Sequence, residues 1–342
     1  MIRLSVIIPM YNVEPYVERC IRSLQNQDLP KNTYEIVCIN DGSPDNSLGV
    51  VQKLSEEFDN ICIIDQVNQG VSMARNNGMD IAKGKYLLMI DPDDYVKENT
   101  LKERLDILDR NDIDVALTGY IILDVSGEEE YVFDPIHEKN EVLSGIDYFD
   151  KYVRGKSEIR DPHRSVAIFY NKDFLDRNKL RYLSGVPYLE DGEFLARVRC
   201  LANKVNFINK PFYLRTTRPG SATHSGLFYT ERAREGFLNA AKNLKVFRNK
   251  CPLEKQKTFL NQPIIHFTLL YIFSFGISNY LKNRKEIKES LKINSLSTLE
   301  VKGCSKQYAL IGRLYNVSIR YMLGYILLDR FIDSLRIRMK FN

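Results

Sequence analysis

Tyr86-Leu87-Leu88-Met89-Ile90-Asp91-Pro92-Asp93-Asp94 runs five largely apolar residues straight into three carboxylates held within four positions. A short apolar run that stops so abruptly reads as a strand, 86–90, delivering its chain to Asp91. Working back from it, residues 71–82 read as a helix, 61–65 as a strand and 47–58 as a helix. Residues 35–39 form another apolar run, stopped by the dense turn signal Asn40-Asp41-Gly42-Ser43-Pro44. Residues 13–27 place Val17, Cys20, Ile21 and Leu24 at helical spacing, after a strand at 4–9. Strands alternating with helices of this length imply βαβ units and a mainly parallel sheet. In such a sheet, ligands sit outside the carboxyl ends of the strands. Topology alone therefore brings together Tyr11-Asn12, Asp41-Gly42-Ser43 and Asp91-Pro92-Asp93-Asp94.

Downstream, a helix is expected at 100–109 and a strand near 115–123. Residues 126–141 are acidic and irregular, an excursion or a hairpin. A strand within 161–170 leads to a helix start at 171–178. Residues 192–201 read as a helix, preceded by Leu189-Glu190-Asp191, and 205–214 as a strand. Beyond about residue 229 the pattern turns helical and basic. No repeat or low-complexity segment interrupts the chain.

The composition is that of a globular protein: 342 residues, 44% hydrophobic and 27% charged. The net charge of +5 hides an asymmetry. Residues 1–230 carry 28 Lys and Arg against 36 Asp and Glu, a net of −8, while residues 231–342 carry 21 against 8, a net of +13. A basic tail behind an acidic body is suited to an anionic partner. The six cysteines, at 20, 38, 62, 200, 251 and 304, form no C-x-x-C pair and no zinc-like spacing, and reduced thiols are expected. The opening apolar run is too short for a signal peptide. The longest apolar stretch, 263–277, contains His266 and falls short of the roughly 20 residues that span a bilayer. These features lead us to expect a cytoplasmic protein without a transmembrane helix.

Three segments carry candidate chemistry. Asp91, Asp93 and Asp94 repel one another unless a cation neutralises them, and hard oxygen ligands suit Mg2+ or Mn2+; an Asp-rich helix cap is the plainer alternative. Asp41 sits in a turn followed by a helix start, and its carboxylate can also accept a hydrogen bond from a pyrimidine N–H. In Asn68-Gln69-Gly70-Val71-Ser72-Met73-Ala74-Arg75-Asn76-Asn77-Gly78, a glycine stands at a loop-to-helix junction with an arginine on the first turns, an arrangement that favours phosphate. A solvated surface arginine is the alternative there.

In this order, Ser5-Val6-Ile7-Ile8-Pro9-Met10-Tyr11-Asn12, Asn40-Asp41-Gly42-Ser43, the segment from Asn68 through Gly78, Asp91-Pro92-Asp93-Asp94 and Glu190-Asp191 resemble the family 2 glycosyltransferases of the GT-A fold. The resemblance covers roughly residues 1–225. It implies an α/β, Rossmann-like catalytic domain at 1–228 and leaves 229–342 as a helical extension. It further implies an inverting enzyme that takes a sugar from a nucleotide-sugar donor, a UDP-sugar above all. The acceptor would be a hydroxyl of a saccharide or lipid-linked saccharide, in building cell-surface polysaccharide. Pro9, Tyr11 and Asn12 would line the nucleotide pocket, Asp41 would meet the base, and Arg75 would lie near the donor sugar or diphosphate. Asp91 would reach the ribose or sugar, Asp93 would hold Mn2+ or Mg2+, and Asp191 would be the catalytic base. Helix capping by Glu190-Asp191 is the competing explanation of that pair.

Residues 211–224 resemble the loop that closes over the donor diphosphate in this family. Arg218 is a candidate for the diphosphate, and His224 for the diphosphate or the metal. His137 and His163 have no partner spacing. The segment 308–342 interleaves Tyr315, Ile319, Leu323, Ile326, Leu327 and Phe331 with arginines, and reads as one amphipathic helix. Such a helix either lies on an anionic membrane or packs on the catalytic domain or a second subunit of a homodimer. No nucleic-acid partner is expected. Two other classes compete: a sugar-phosphate nucleotidyltransferase, against which 10–14 lack glycine, and an inactive nucleotide-sugar-binding scaffold.

Overall fold

The computed structural model describes residues 1–123, 129–132, 141–154, 166–217 and 226–340, with backbone alone at 129–132, 278 and 330–340. The chain forms two compact units, residues 1–225 and 226–342.

In the first unit, β1 (Leu4–Met10), β2 (Tyr34–Asp41), β3 (Ile61–Gln66) and β4 (Tyr86–Met89) alternate with α1 (Glu14–Gln25), α2 (Ser47–Glu57) and α3 (Val71–Ile81). The strands lie in the order β3-β2-β1-β4 and are all parallel, with Ile7 opposite both Val37 and Met89. Every residue of β1, β2 and β4 is buried, in keeping with the apolar runs 6–10, 36–39 and 86–89 within them. Val17, Cys20, Ile21 and Leu24 of α1 are buried as their spacing predicts.

The helix α3 lies unusually close to the sheet. A Cβ on Gly78 would fall 2.6 Å from Ile7 Cγ2 and 2.8 Å from Ile39 Cδ1. The helix begins at Gly70, whose φ of 86° few other residues adopt. Together the two glycines seat α3 on β1 and β2, with Arg75 above the strand ends.

The rest of the sheet is mixed. After β5 (Tyr95–Val96) and α4 (Leu101–Asn111) come β6 (Val115–Leu123), β7 (Glu129–Val132), β8 (Val142–Leu143), α5 (Gly145–Tyr152), β9 (Ile168–Asn171), α6 (Lys172–Arg177), α7 (Glu190–Leu201) and β10 (Val205–Thr216). The strand β9 inserts antiparallel between β4 and β6, and β10 runs parallel to β6 with a bulge between Ile208 and Tyr213. Within the acidic stretch, β7 pairs antiparallel with β6. The ten strands form one α/β sheet, mostly parallel, flanked by helices.

The second unit is helical: α8 (Glu231–Lys250), α9 (Glu254–Phe273), α10 (Tyr280–Ile293), α11 (Lys306–Val317) and α12 (Ile319–Lys340). Phe237, Ala240 and Leu244 of α8 are buried, as are Phe259, Leu260, Ile264 and Phe267 of α9. The apolar stretch at 263–277 is thus largely core. Among the described residues no helix is long and apolar enough to cross a membrane. The single helix expected over 308–342 is in fact two. Ser318 is extended, with φ −165° and ψ 131°, and its Oγ accepts the Arg320 N–H at 3.2 Å, so it ends α11 and caps α12. Tyr315, Ile319 and Leu323 are buried, whereas Leu327 and Leu328 are exposed.

Candidate active site

The carboxyl ends of β1, β2, β3 and β4 form one edge. At the end of β1, Pro9 is buried, whereas Tyr11 is 53% exposed. Asn12 has a φ of 55°, a left-handed conformation in a non-glycine residue, and its N–H meets Ser43 Oγ at 3.4 Å. At the end of β2, Asp41 is buried. Its Oδ1 accepts from Gln66 Nε2 and from the Gln69 N–H, and its Oδ2 from the Gly70 N–H, all at 2.8 Å. Three of the roughly four acceptor positions of this carboxylate are therefore used in shaping the loop before α3.

The centre of the edge is Arg75, only 5% exposed. Its Nη1–H groups donate to Glu190 Oε1 at 2.6 Å and Asp191 Oδ1 at 3.3 Å, and Nη2 donates to Asp91 Oδ1 at 3.1 Å. One guanidinium thus gathers three carboxylates from the end of β4 and the start of α7. It also lies over the Tyr182 ring at 5.2 Å, and that ring stacks on Phe194 of α7 at 4.1 Å. Asn76 clamps Tyr182 from both sides, accepting its N–H at 2.8 Å and donating to its carbonyl at 2.9 Å.

Asp191 sits in the first turn of α7, after Leu189 at φ 59°. Burial raises its pKa to about 7, the cation of Arg75 opposes the rise, and the carboxylates of Glu190 and Asp91 add to it. A hydrogen bond with Tyr182 also pulls it down. A carboxylate titrating there is matched to proton transfer near neutral pH.

The three aspartates after β4 part company. Asp94 is 3% exposed and accepts from the Tyr213 hydroxyl at 2.6 Å and the Thr216 N–H at 2.8 Å. Tyr213 Oη also accepts the Asp91 N–H at 3.2 Å, so one hydroxyl of β10 ties both ends of the turn. The Asp93 carbonyl accepts from Arg19 Nη2 and Thr216 Oγ1, both at 2.8 Å. Asp94 is thereby committed to structure, leaving Asp91 and Asp93 with side chains only partly buried. Among the described residues, no cluster of three His, Cys, Asp or Glu could hold a metal alone. One or two carboxylates nonetheless fit Mg2+ or Mn2+ that completes its shell with substrate phosphates.

Arg218 and His224, like His137 and His163, lie outside the described residues. Sequence reasoning singled out Arg75, Asp91 and Asp191 separately and missed that they touch. It also missed Tyr182, Asn76 and Tyr213. Tyr213 carried the only signal, a polar tip in a strand that is otherwise apolar nearby.

The model of the family Glycosyl transferase family 2 matches residues 5–176, half of the chain. The uncharacterized glycosyltransferase EpsJ of Bacillus subtilis (strain 168) is 30% identical over 219 residues, 64% of this chain and 62% of EpsJ. The poly(ribitol-phosphate) beta-N-acetylglucosaminyltransferase TarS of Staphylococcus aureus (strain MW2) is 26% identical over 222 residues, 64% of this chain and 36% of TarS. The chain thus spans less than two thirds of the length of either relative. The crystal structure of S. aureus TarS 1–349 in complex with UDP-GlcNAc matches with a TM-score of 0.69 at 22% identity, covering 96% of this chain and 92% of that one. The mannosyltransferase PcManGT from Pyrobaculum calidifontis, in complex with GDP-Man and Mn2+, matches with a TM-score of 0.52 at 12% identity, covering 92% and 87%. These structural likenesses show a GT-A-like fold.

Proposed function

The chain belongs to glycosyl transferase family 2, and from that premise we propose that it transfers a sugar from a UDP-sugar to an acceptor hydroxyl, with inversion at the anomeric carbon. The observation that carries this reading is the Asp191 carboxylate, held by Arg75 beside Asp91 at the carboxyl edge of the sheet and titrating near neutrality.

In the reaction, the acceptor oxygen forms a bond to the anomeric carbon as the bond from that carbon to the diphosphate oxygen breaks. Asp191 takes the hydroxyl proton, and the nucleoside diphosphate leaves with the bonding pair. A base of this kind contributes on the order of 10²–10⁴-fold. Arg75 fixes the Asp191 carboxylate in place and limits the rise in its pKa. Tyr11, exposed at the end of β1, offers a ring for the base. Asp41 holds the loop of residues 66–70 and presents its remaining acceptor capacity to the base. Asp91 and Asp93 would hold Mn2+ or Mg2+ together with the donor phosphates. The bound ion supplies Lewis-acid neutralisation of charge on the departing diphosphate. Arg218 and His224 are proposed to act on the diphosphate, and His224 alternatively on the metal. The 1–228 segment is the catalytic domain in this reading.

The acceptor is proposed to be a saccharide or polymer hydroxyl in the building of a cell-surface polymer, by analogy with TarS, a poly(ribitol-phosphate) beta-N-acetylglucosaminyltransferase. The test is release of nucleoside diphosphate from UDP-, GDP- and dTDP-sugars with Mn2+ or Mg2+. Turnover of a UDP-sugar is expected. Absence of turnover with all three, in a folded protein that binds UDP, would favour a binding scaffold instead.

A further inference from the structure

Part of the basic charge of the second unit lines one cleft. Tyr280, Arg284 and Lys288 follow one another at four-residue spacing along α10, so they line one face of that helix. With Lys285 of the same helix, and Ser318 and Arg320 from the joint between α11 and α12, they line a cleft of about 590 Å³. Arg284, Lys285, Lys288 and Arg320 are exposed, and none forms an ion pair with a carboxylate among the described residues. The acids of α10, Glu286 and Glu289, do not line the cleft. Four cations face one concavity without counter-charge. Two of them, Arg320 and Arg284, act electrostatically on the Tyr280 hydroxyl.

Tyr280 is the second observation. It is only 5% exposed, it lines the cleft, and its hydroxyl makes no hydrogen bond with any described residue. That hydroxyl is open to solvent and can donate to an acceptor that enters the cleft. A phosphate oxygen provides one and neutralises the surrounding charge as well.

The surroundings decide the source of the phosphate. Three large apolar side chains stand exposed next in sequence to residues lining the cleft: Leu281 at 63%, Val317 at 72% and Tyr321 at 64%. Leu281 also precedes Lys285 by four residues, so the two share a stripe of α10. A soluble polyanion would have no use for these apolar groups. A bilayer surface would use both, with headgroup phosphates for the cations and the acyl boundary for the apolar side chains.

We propose that the cleft between α10 and the α11–α12 joint docks the second unit on an anionic phospholipid bilayer, seating a lipid phosphate against Tyr280 and the four cations while Leu281, Val317 and Tyr321 enter the interface. This site is independent of the reading of the catalytic residues.

The experiment is flotation of the full chain with phosphatidylcholine vesicles, with and without phosphatidylglycerol. The wild type is expected to float with the anionic vesicles at low salt and to remain behind with the neutral ones. Each basic residue near such a surface contributes about fivefold in partitioning, so Arg284→Ala/Lys288→Ala/Arg320→Ala together should weaken flotation about a hundredfold. Leu281→Ser/Tyr321→Ser should weaken flotation at constant charge. Tyr280→Phe should weaken binding while leaving the helical circular dichroism unchanged. UDP affinity, measured in parallel, should be the same in all of these variants, which separates failure of this site from failure of the catalytic reading. The proposal is overturned if the wild type does not float with anionic vesicles or if the triple variant floats like wild type. It is equally overturned if a soluble polyol-phosphate polymer binds the cleft while vesicles do not.

Discussion

Arg75 Nη1 lies 3.3 Å from Asp191 Oδ1, joining the second turn of α3 to the first turn of α7 across 116 residues of sequence. The same nitrogen holds Glu190 at 2.6 Å, and its neighbour holds Asp91 at 3.1 Å. Three carboxylates share one cation, so the protonation of Asp191 depends on the charges of Arg75, Glu190 and Asp91 around it.

Rate should depend on pH through Asp191. Burial raises its pKa to about 7 against the pull of Arg75, with Glu190 and Asp91 adding to the rise. A base works only when deprotonated, so kcat/KM for transfer should fall close to tenfold per unit as pH drops below about 7. A profile that stays level well into the acid range would rule out Asp191 as the titrating base.

The neighbours should move that acid limb in opposite directions. Tyr182→Phe removes a hydrogen bond that favours the ionised form of Asp191, so the limb should shift to higher pH. Glu190→Gln removes a nearby negative charge and frees Arg75 for Asp191, so the limb should shift to lower pH. Shifts of the same sign, read from paired pH–rate profiles, would contradict the account.

Tyr213→Phe should loosen the turn after β4. The lost hydroxyl leaves the Asp91 N–H and the buried Asp94 carboxylate each short of a partner. The expected cost is about 1–3 kcal/mol in urea unfolding. An unchanged midpoint and slope would show that the turn is held by other means.

Asp93→Ala should abolish the metal-dependent part of UDP binding and preserve the fold. The contacts of Asp93 with Arg19 and Thr216 run through its backbone carbonyl, which alanine retains. Calorimetry with UDP and Mn2+ checks this. Equal metal-dependent affinity in the variant and the wild type would remove Asp93 from the metal site.

Much of the first half of the sheet was legible because fully buried parallel strands leave a plain trace. Residues 6–10 and 36–39 are apolar throughout, and turn residues follow them. The strands β5 and β8 left no trace because two residues have no periodicity. Tyr95-Val96 becomes a strand only by pairing with Tyr213 and Leu214, more than a hundred residues away. The same distance hid the site's wiring. Arg75, Asp91 and Asp191 each look like ligand-binding residues in isolation, and nothing local says that they bind one another. Asp41 was readable as an acceptor, but its donors in residues 66–70 come from the far side of the β3 strand. At the other end of the chain, the break at Ser318 has a local cause, a serine cap, that the apolar spacing on either side obscured.

The central claim, that Asp191 is the base of a sugar transfer, is tested most directly by Asp191→Asn, which keeps the size of the side chain and removes its capacity to take a proton. The measurement is kcat for nucleoside diphosphate release from a UDP-sugar in the presence of acceptor, alongside UDP affinity by calorimetry. A fall in kcat of at least about 10²-fold is expected, with affinity nearly unchanged. Near-normal turnover in the Asn variant would contradict it and leave Asp191 as the cap of α7.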